Sequence, residues 1–382
     1  MLTEDLVRRQ DLFKFTAGHT HGHVRGSGGG SLTTGSNGFP HMWRYSFTAG
    51  SGSPLITSPN VFDTALLAKI ARWHTTTINI SPFSDSDLPG YNTVYAQLRA
   101  LNPAIKILLY NTCSLLSQNL GPNPTSFVRE AWLLATSPTD IRLYDITDGL
   151  GYPGESNLLG VFFDIGVAGP ATYANIWKKY GAFGDGYFFD FFISLVANYV
   201  FTHRVNPALP APGYASEAAM NTAFTTALTA FATAMASDPK LKVGNSGGYS
   251  TVVTHQAAAP AGELLELWDS FAGYGTFDNA MARALNWQGS APTGDGTVFL
   301  ASYTSGLTQA NAGFAKLARY TLGSACVAGG MGYVGNSGLL SAAGNDQNIW
   351  ADEYTVDPTG VSDGTGTVAA NRGWLGRPLA FR

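Results

Sequence analysis

Two apolar segments of the sequence each carry a carboxylate at or just past their end. The segment 185–192, DGYFFDFF, carries Asp190, and the segment 263–271, ELLELWDSF, carries Glu266 and Asp269. A continuous apolar run is typical of a strand buried on both faces, where an ionisable group is costly unless it is paired or faces a polar cavity. Two carboxyl groups held apart on a rigid frame are the equipment of glycoside hydrolysis. The alternative is that both are partnered structural acids.

Glycoside hydrolysis needs one carboxyl group protonated and the other ionised. Trp268 and the flanking phenylalanines would desolvate a nearby acid, which favours its protonated form. We therefore expect Asp190 to be the ionised partner and Glu266 to be the acid/base, with Asp269 as a substitute for Glu266.

Other polar and aromatic side chains follow apolar runs and could bind a sugar. The candidate hydroxyl-binding groups are Arg44, Asn79, Asp85, Asn111, Asn245 and Tyr303. The candidate stacking surfaces are Trp43, Trp268 and Trp350, and the loop acids of interest are Asp164 and Glu353. A single aromatic residue of this kind is more often packed in a core.

These residues need a frame, and eight strand-like runs alternate with helical patterns from residue 40 onward, which indicates parallel βα units. The predicted strands are 42–47, 76–83, 104–111, 185–192, 241–247, 264–271, 297–304 and 331–338. The predicted helices are 62–73, 91–101, 126–135, 216–236, 277–287 and 308–325, with Ser216 as an N-cap. Segments 142–149 and 158–166 interrupt the alternation and are interpreted as a loop or short extra strands above the barrel mouth.

This pattern predicts a (β/α)8 TIM-type barrel preceded by an extended Gly-rich N-terminal arm. Residues 1–39 are assigned to the arm, and residues 40–382 to the barrel with a C-terminal extension. An open doubly wound sheet is the second choice, because no Gly-rich phosphate-binding motif follows the first strand.

The order of six short sequence blocks along the chain resembles that of the uncharacterised glycosyl-hydrolase-like barrel families and the related polygalactosaminidase-like barrels. The blocks are NPAIKILLYN, VFFDIGVAGPATYANIW, DGYFFDFF, LKVGNSG, LELWDSF and IWADEYTVDPTG. The resemblance implies that Asp190 is the fourth-strand carboxylate and Glu266 the sixth-strand one, with Asp185 structural. Phe191 and Leu267 depart from the family pattern and make the site more apolar.

Composition narrows the function classes. Charged residues make up 13% of the chain and its net charge is −4, which gives no basic surface for nucleic acid. Cys113 and Cys326 fit no disulfide framework or metal spacing. The sequence has no apolar run long enough to insert in a membrane and no secretory signal at its start. We expect a virion-borne or extracellular protein, and no cofactor for the barrel.

The arm contains the segment HTHGH, in which His19, His21 and His23 share one side of an extended chain. Such a group could bind a transition-metal ion such as zinc, nickel or iron, and the alternative is a solvated linker with incidental histidines. The surrounding DLFKFTAGHTHGH resembles a segment of bacteriophage tail and other virion proteins. Because residues 1–39 lack the apolar content to fold alone, we expect them to contact other virion proteins or symmetry mates.

Two functions from different classes stay open on the sequence. The first is a virion-associated enzyme that cleaves a polysaccharide on a host cell surface. The second is a structural or receptor-binding virion protein on the same barrel. A metal-dependent hydrolase is the weaker third choice, because no H-x-H or H-x-x-E pair falls on a predicted barrel strand.

Overall fold

The computed structural model describes residues 43–44, 56–58, 61–62, 67, 71, 75–79, 88–113, 115–117, 142–145, 160–163, 165–190, 192, 216–245, 259, 261–265, 275–290, 297–303, 317, 320–325, 328 and 330–335. All of them fall in one compact unit that includes Pro40–Trp350. The predicted arm, residues 1–39, lies outside the described residues, and so does the C-terminal extension.

Eight parallel strands form the main sheet. In chain order they are β1 (Trp43–Arg44), β4 (Thr75–Asn79), β5 (Lys106–Thr112), β9 (Gly186–Asp190), β10 (Leu241–Asn245), β11 (Gly262–Leu265), β12 (Thr297–Tyr303) and β13 (Met331–Gly335). Their order in the sheet is the same as their order in the chain, and every described pairing between neighbours is parallel. The first and last strands also approach each other, so the sheet curls round on itself. The chain therefore has the predicted TIM-barrel-like α/β fold.

Helices occupy several of the connections between these strands. They are α1 (Leu88–Leu101), α2 (Ile165–Ala168), α3 (Pro170–Tyr180), α4 (Glu217–Met235) and α5 (Phe277–Ser290), and residues 320–325 are also helical. The Ser216 hydroxyl accepts a hydrogen bond from the Ala219 N–H at 3.2 Å, which confirms the predicted N-cap of α4. The sequence analysis did not predict α3, whose Pro170 stands in the first turn, where a missing N–H has no cost.

The connection between β5 and β9, which includes segments 142–149 and 158–166, contains short extra strands. This agrees with the second of the two interpretations given for these segments. Strands β6 (Leu115–Ser117), β7 (Arg142–Asp145) and β8 (Gly160–Phe163) form a separate antiparallel sheet in the order β6-β8-β7. A further pair, β2 (Ile56–Ser58) and β3 (Val61–Phe62), is antiparallel and follows β1. The first extra strand begins within three residues of the end of β5, so the insertion departs from the carboxyl edge of the main sheet.

Alternation along each strand divides the core in two. One set of side chains packs on the inside of the curled sheet, and its members include Leu108, Tyr110, Phe188, Val243, Leu264, Phe299 and Tyr333. The opposite set includes Ile107, Leu109, Tyr187 and Phe189 and packs with Tyr173 and Trp177 of α3 and Phe231 of α4. Strands β5 and β9 are thus buried on both faces, which explains why they read as continuous apolar runs.

Glycine is required at Gly186 by the close approach of neighbouring strands. A Cβ atom there would lie 2.6 Å from both Cβ and the carbonyl oxygen of Leu241. No rearrangement of a flexible side chain could relieve the contact with a backbone atom. The glycine of the DGYFFD segment therefore has a packing role on the inside of the sheet.

Candidate functional site

The candidate site lies at the carboxyl edge of the main sheet, where β9 ends at Asp190. Asp190 is paired in register with Thr112, the last residue of β5. It alternates with Phe188, so its side chain belongs to the inner face of the sheet. The residue is 6% exposed, which makes it a buried acid at the edge of a parallel barrel where chemistry is usually located.

Two side chains from the neighbouring strands hold the Asp190 carboxyl group. The Tyr110 hydroxyl on β5 donates to Oδ2 at 2.5 Å, and the Asn245 amide on β10 donates to Oδ1 at 2.8 Å. Tyr110 is 6% exposed and Asn245 is 5% exposed. Each carboxyl oxygen thus accepts at least one hydrogen bond from a buried donor, and the orientation of the group is fixed from both sides.

The sequence places these three residues together through the period of two along each strand. Tyr110 follows Leu108, Asp190 follows Phe188 and Asn245 follows Val243, each by two positions, and all three preceding residues line the inside of the sheet. The Tyr110 and Phe188 rings also stack, with centroids 5.9 Å apart and an interplanar angle of 29°. The carboxyl group therefore lies directly above an aromatic layer.

Backbone hydrogen bonds brace this strand end. The Cys113 N–H donates to the Asp190 carbonyl at 2.6 Å, and the Phe192 N–H donates to the Asn245 carbonyl at 2.8 Å. The Tyr173 hydroxyl of α3 donates to the Cys113 carbonyl at 3.0 Å. Burial raises the pKa of the Cys113 thiol well above its ordinary value, so this cysteine is a neutral packing residue at working pH.

Asp185, at the other end of the same strand, has a different setting. Its Oδ2 accepts a hydrogen bond from the Ile107 N–H at 2.8 Å and lies 3.2 Å from Arg99 Nη2. The Asp185 carbonyl also accepts from the Leu241 N–H. Asp185 thus ties β5, β9 and β10 together at the amino edge, in keeping with the structural role that the family resemblance implies.

A second buried acid lies on β11, one of the strands expected to contribute to the site. Glu263 is fully buried and accepts hydrogen bonds on Oε1 from Arg283 of α5, with Nε at 3.2 Å and Nη2 also in contact. Glu263 alternates with Leu265, which packs against α5. Glu263 is therefore a structural acid with a cationic partner. The sequence analysis had left this same role open for Asp190 and for Glu266 or Asp269.

The predicted second carboxylate falls outside the described residues. Strand β11 is Gly262–Leu265, so it begins two residues before the predicted start of 264. Glu266, Asp269 and Trp268 follow that range and are not described, and the same holds for Asp85, Asp164, Trp350, Glu353 and the histidines His19, His21 and His23.

The remaining candidates lie on described strands. Asn79 is in register with Tyr110, while Trp43 and Arg44 are in register with Thr75 and Thr76. Tyr303 ends β12 and is in register with Gly335.

Asn111 is buried and lies on β5, but it alternates with Ile107 and Leu109, which pack toward the helices. Its position on the strand is therefore on the opposite face from Tyr110.

Tyr110 is the residue that the sequence analysis missed. It precedes Asn111, and the polar residue closer to the strand end was chosen as the hydroxyl-binding candidate. The period of two puts them on opposite faces, but only the folded sheet shows that the inner face is the one shared by Leu108 and Tyr110.

The described residues can orient a carboxylate, but they do not form a metal centre. No group of three or more histidine, cysteine, aspartate or glutamate side chains in the described ranges could hold a metal ion. Within the same ranges, no helix combines the length and apolar character needed to cross a membrane. A carboxylate fixed at both oxygens is suited to act as a nucleophile or a base, or to bind a hydroxyl group of a ligand.

Comparison with known proteins gives a structural likeness only. No protein family model matches the chain, and no curated protein matches it. Among solved structures, a mutant of morphinone reductase in complex with tetrahydroNAD is similar in fold, with 12% sequence identity and a TM-score of 0.42. The match covers 78% of this chain and 83% of that chain.

Proposed function

We propose that the protein is a glycoside hydrolase-like barrel that cleaves a polysaccharide on a cell surface and uses Asp190 as one of two catalytic carboxylates. The observation that carries the proposal is the Asp190 carboxyl group, buried at the carboxyl edge of a parallel barrel and bonded at each oxygen to a neutral donor. Two other described acids, Glu263 and Asp185, pair with Arg283 and Arg99 and hold the barrel together. Tyr110 and Asn245 orient the Asp190 carboxyl group instead at the carboxyl edge, where an oriented carboxylate can act on a ligand.

The second carboxylate in this proposal is Glu266, with Asp269 as its substitute. Glu266 follows Leu264 by two positions, which is the spacing of side chains that share one face of a strand, and Leu264 lines the inside of the sheet. Glu266 would donate a proton to the leaving oxygen while Asp190 acts as nucleophile or as base for water. The barrel itself needs no cofactor for this chemistry.

The competing function is a structural or receptor-binding virion protein that holds glycan without cutting it. The two can be separated by incubating the full-length protein with purified host-surface polysaccharide and measuring new reducing ends, with retention of the protein on immobilised polysaccharide measured in parallel. The proposal expects cleavage by the wild type, and loss of cleavage with retained binding for Glu266→Gln. If Asp269→Asn loses activity and Glu266→Gln does not, the acid/base is Asp269. Binding by the wild type without any cleavage would support the receptor-binding function.

The outcome of the reaction gives a second test. The anomer released first, read by proton NMR, reports retention or inversion. Retention corresponds to a carboxyl separation of about 5 Å, and inversion to about 6.5–9.5 Å. The distances that matter are those from the Asp190 carboxyl group to the carboxyl groups of Glu266 and Asp269. If neither distance falls in either range, Asp190 cannot act with one of these residues as a hydrolytic pair.

We also propose that residues 1–39 attach the barrel to other virion proteins or to symmetry mates, so that the protein acts on the particle or outside the cell. The support is compositional, since the segment is rich in Gly, Ser and Thr and contains the three histidines of HTHGH. A transition-metal ion could be bound there. Deleting residues 1–39 should leave a soluble, folded barrel that no longer assembles, and metal analysis of the full-length protein tests the histidines. Unchanged assembly of the truncated protein would contradict the attachment role.

A further inference from the structure

We infer that Tyr110 is a positioning residue that keeps Asp190 in its ionised form, which makes Asp190 the nucleophile or base and leaves proton donation to the second carboxyl group. The inference rests on the proposed function, because it assigns the division of roles within that same site. It concerns a residue of β5 that lies outside the set identified from the sequence.

The hydrogen bonds donated to the Asp190 carboxyl group support this assignment. A phenol has one hydrogen to donate, and the Tyr110 hydroxyl directs it at Asp190 Oδ2. The Asn245 amide directs a second hydrogen at Oδ1. Hydrogen bonds donated to a carboxyl group are stronger when the group is charged, so this pair of donors favours the charged form.

Burial makes the two donors hard to replace. Asp190, Tyr110 and Asn245 are each at most 6% exposed, so bulk water has little access with which to substitute for a missing hydrogen bond. The loss of one donor therefore removes a stabilising hydrogen bond from a buried carboxyl group, and the charged form bears most of that cost.

The position of the Tyr110 hydroxyl is fixed by the sheet before any ligand binds. Its ring stacks on Phe188 and packs in the inner cluster, and its strand is in register with β9. The hydroxyl thus points from the layer of Phe188 to the next layer, where Asp190 lies. Donors that are fixed in advance are more effective in holding a charge than mobile ones.

Two described titratable groups near this strand end, Cys113 and Tyr173, are neutral. Cys113 contributes its backbone N–H to Asp190, and burial raises the pKa of its thiol well above the ordinary value. Burial, with the neighbouring Cys113, likewise raises the pKa of Tyr173 well above its ordinary value. Both groups therefore leave the Tyr110 hydrogen bond to Asp190 undisturbed by a titration of their own near neutral pH.

The experiment is a pH titration of aspartate carboxyl carbons by NMR in the full-length protein labelled with carbon-13 at the aspartate side chain. The Asp190 signal is assigned by its loss in Asp190→Asn. The test variant is Tyr110→Phe. The matched control is Tyr187→Phe, because the Tyr187 hydroxyl also donates to an aspartate, Asp238 Oδ2, at the same distance of 2.5 Å and from a residue of β9 itself.

We expect the midpoint of the Asp190 titration to move to higher pH in Tyr110→Phe and to stay unchanged in Tyr187→Phe. Replacing Tyr110 by 3-fluorotyrosine, a stronger donor of nearly the same shape, should move the midpoint of the Asp190 titration to lower pH. This replacement also tests the inference if Tyr110→Phe does not fold. An Asp190 midpoint that is the same in wild type, Tyr110→Phe and the fluorotyrosine protein would overturn the inference.

The titration needs no substrate, so its failure is distinct from failure of the proposed function. The expected midpoint shifts in a protein that cleaves no polysaccharide would support the Tyr110–Asp190 link and refute hydrolysis. In a protein that does cleave, the acidic limb of the pH–rate profile should move to higher pH in Tyr110→Phe. Cleavage with an unchanged acidic limb would refute the role of Tyr110 and leave hydrolysis standing.

Discussion

Asp185 and Asp190 flank the same strand, β9, and are held by different kinds of partner. Asp185 precedes the strand at its amino end and accepts from the Ile107 N–H beside Arg99. Asp190 ends the strand and accepts from Tyr110 and Asn245 on the inner face. In a parallel barrel the amino edge serves stability and the carboxyl edge serves chemistry. The two acids of the segment DGYFFD are thus expected to respond differently to substitution.

The first prediction compares the stability cost of changing each acid. Asp185→Ala should lower the free energy of unfolding by about 1–3 kcal/mol, because it leaves the Ile107 N–H without its acceptor. Asp190→Asn keeps the shape of the side chain, and the Tyr110 hydroxyl can rotate to accept from the new amide, so the melting temperature should change little. Urea unfolding of both variants measures the difference. A large loss of stability in Asp190→Asn alone would mark Asp190 as a structural acid and favour the receptor-binding function.

The second prediction concerns the buried ion pair of Glu263 and Arg283. Arg283→Met should cost about 3–5 kcal/mol, because it leaves a fully buried carboxylate without its partner. The double variant Glu263→Gln with Arg283→Met removes both charges and should recover a large part of that loss. Guanidinium unfolding of the two single variants and the double variant gives the coupling. Additive losses would show that the two side chains are not coupled.

The third prediction is a pH dependence at the amino edge. Burial alone would raise the pKa of Asp238, but the Tyr187 hydroxyl, with Lys240 and Lys242, holds it below its ordinary value of 3.8. A carboxylate with a lowered folded pKa adds stability above its unfolded pKa, and that stability is lost as the pH falls through the folded pKa.

Tyr187→Phe should therefore cost about 1 kcal/mol at pH 7, an amount reduced by the partial exposure of Asp238. The difference from the wild type should narrow as the pH falls below 3.8. Unfolding curves from pH 7 to the acid limit measure both effects. A difference that stays constant over that range would mean that the Tyr187 hydroxyl does not act through the Asp238 charge.

Several strands were predictable because both of their faces are buried. All eight predicted strands of the barrel are present, and β9, which falls within the predicted 185–192, is buried at every position. A run such as GYFFD has only one element type that fits its length and β-rich composition. Helix α4 was equally clear, since Ser216 caps it and Asp238-Pro239 follows it.

The partner of Asp190 was not predictable in the same way. A strand buried on both faces lacks the polar–apolar alternation that would show which face a residue occupies, so Tyr110 and Asn111 looked equivalent in AIKILLYN. The register between β5 and β9 decides which of them meets Asp190, and register is a property of the folded sheet. For the same reason, the pairing of Glu263 with Arg283 could not be predicted from ELLELWDSF alone.

The most direct test of the account is the rate of reducing-end release from host-surface polysaccharide by Asp190→Asn, measured beside the wild type and Asp185→Asn. Asp185→Asn is a matched control, because it makes the same chemical change at the other end of β9. The account predicts that Asp185→Asn cleaves at close to the wild-type rate once folding is equalised, and that Asp190→Asn releases no reducing ends while still folding and binding polysaccharide. Cleavage by Asp190→Asn at the wild-type rate would contradict it.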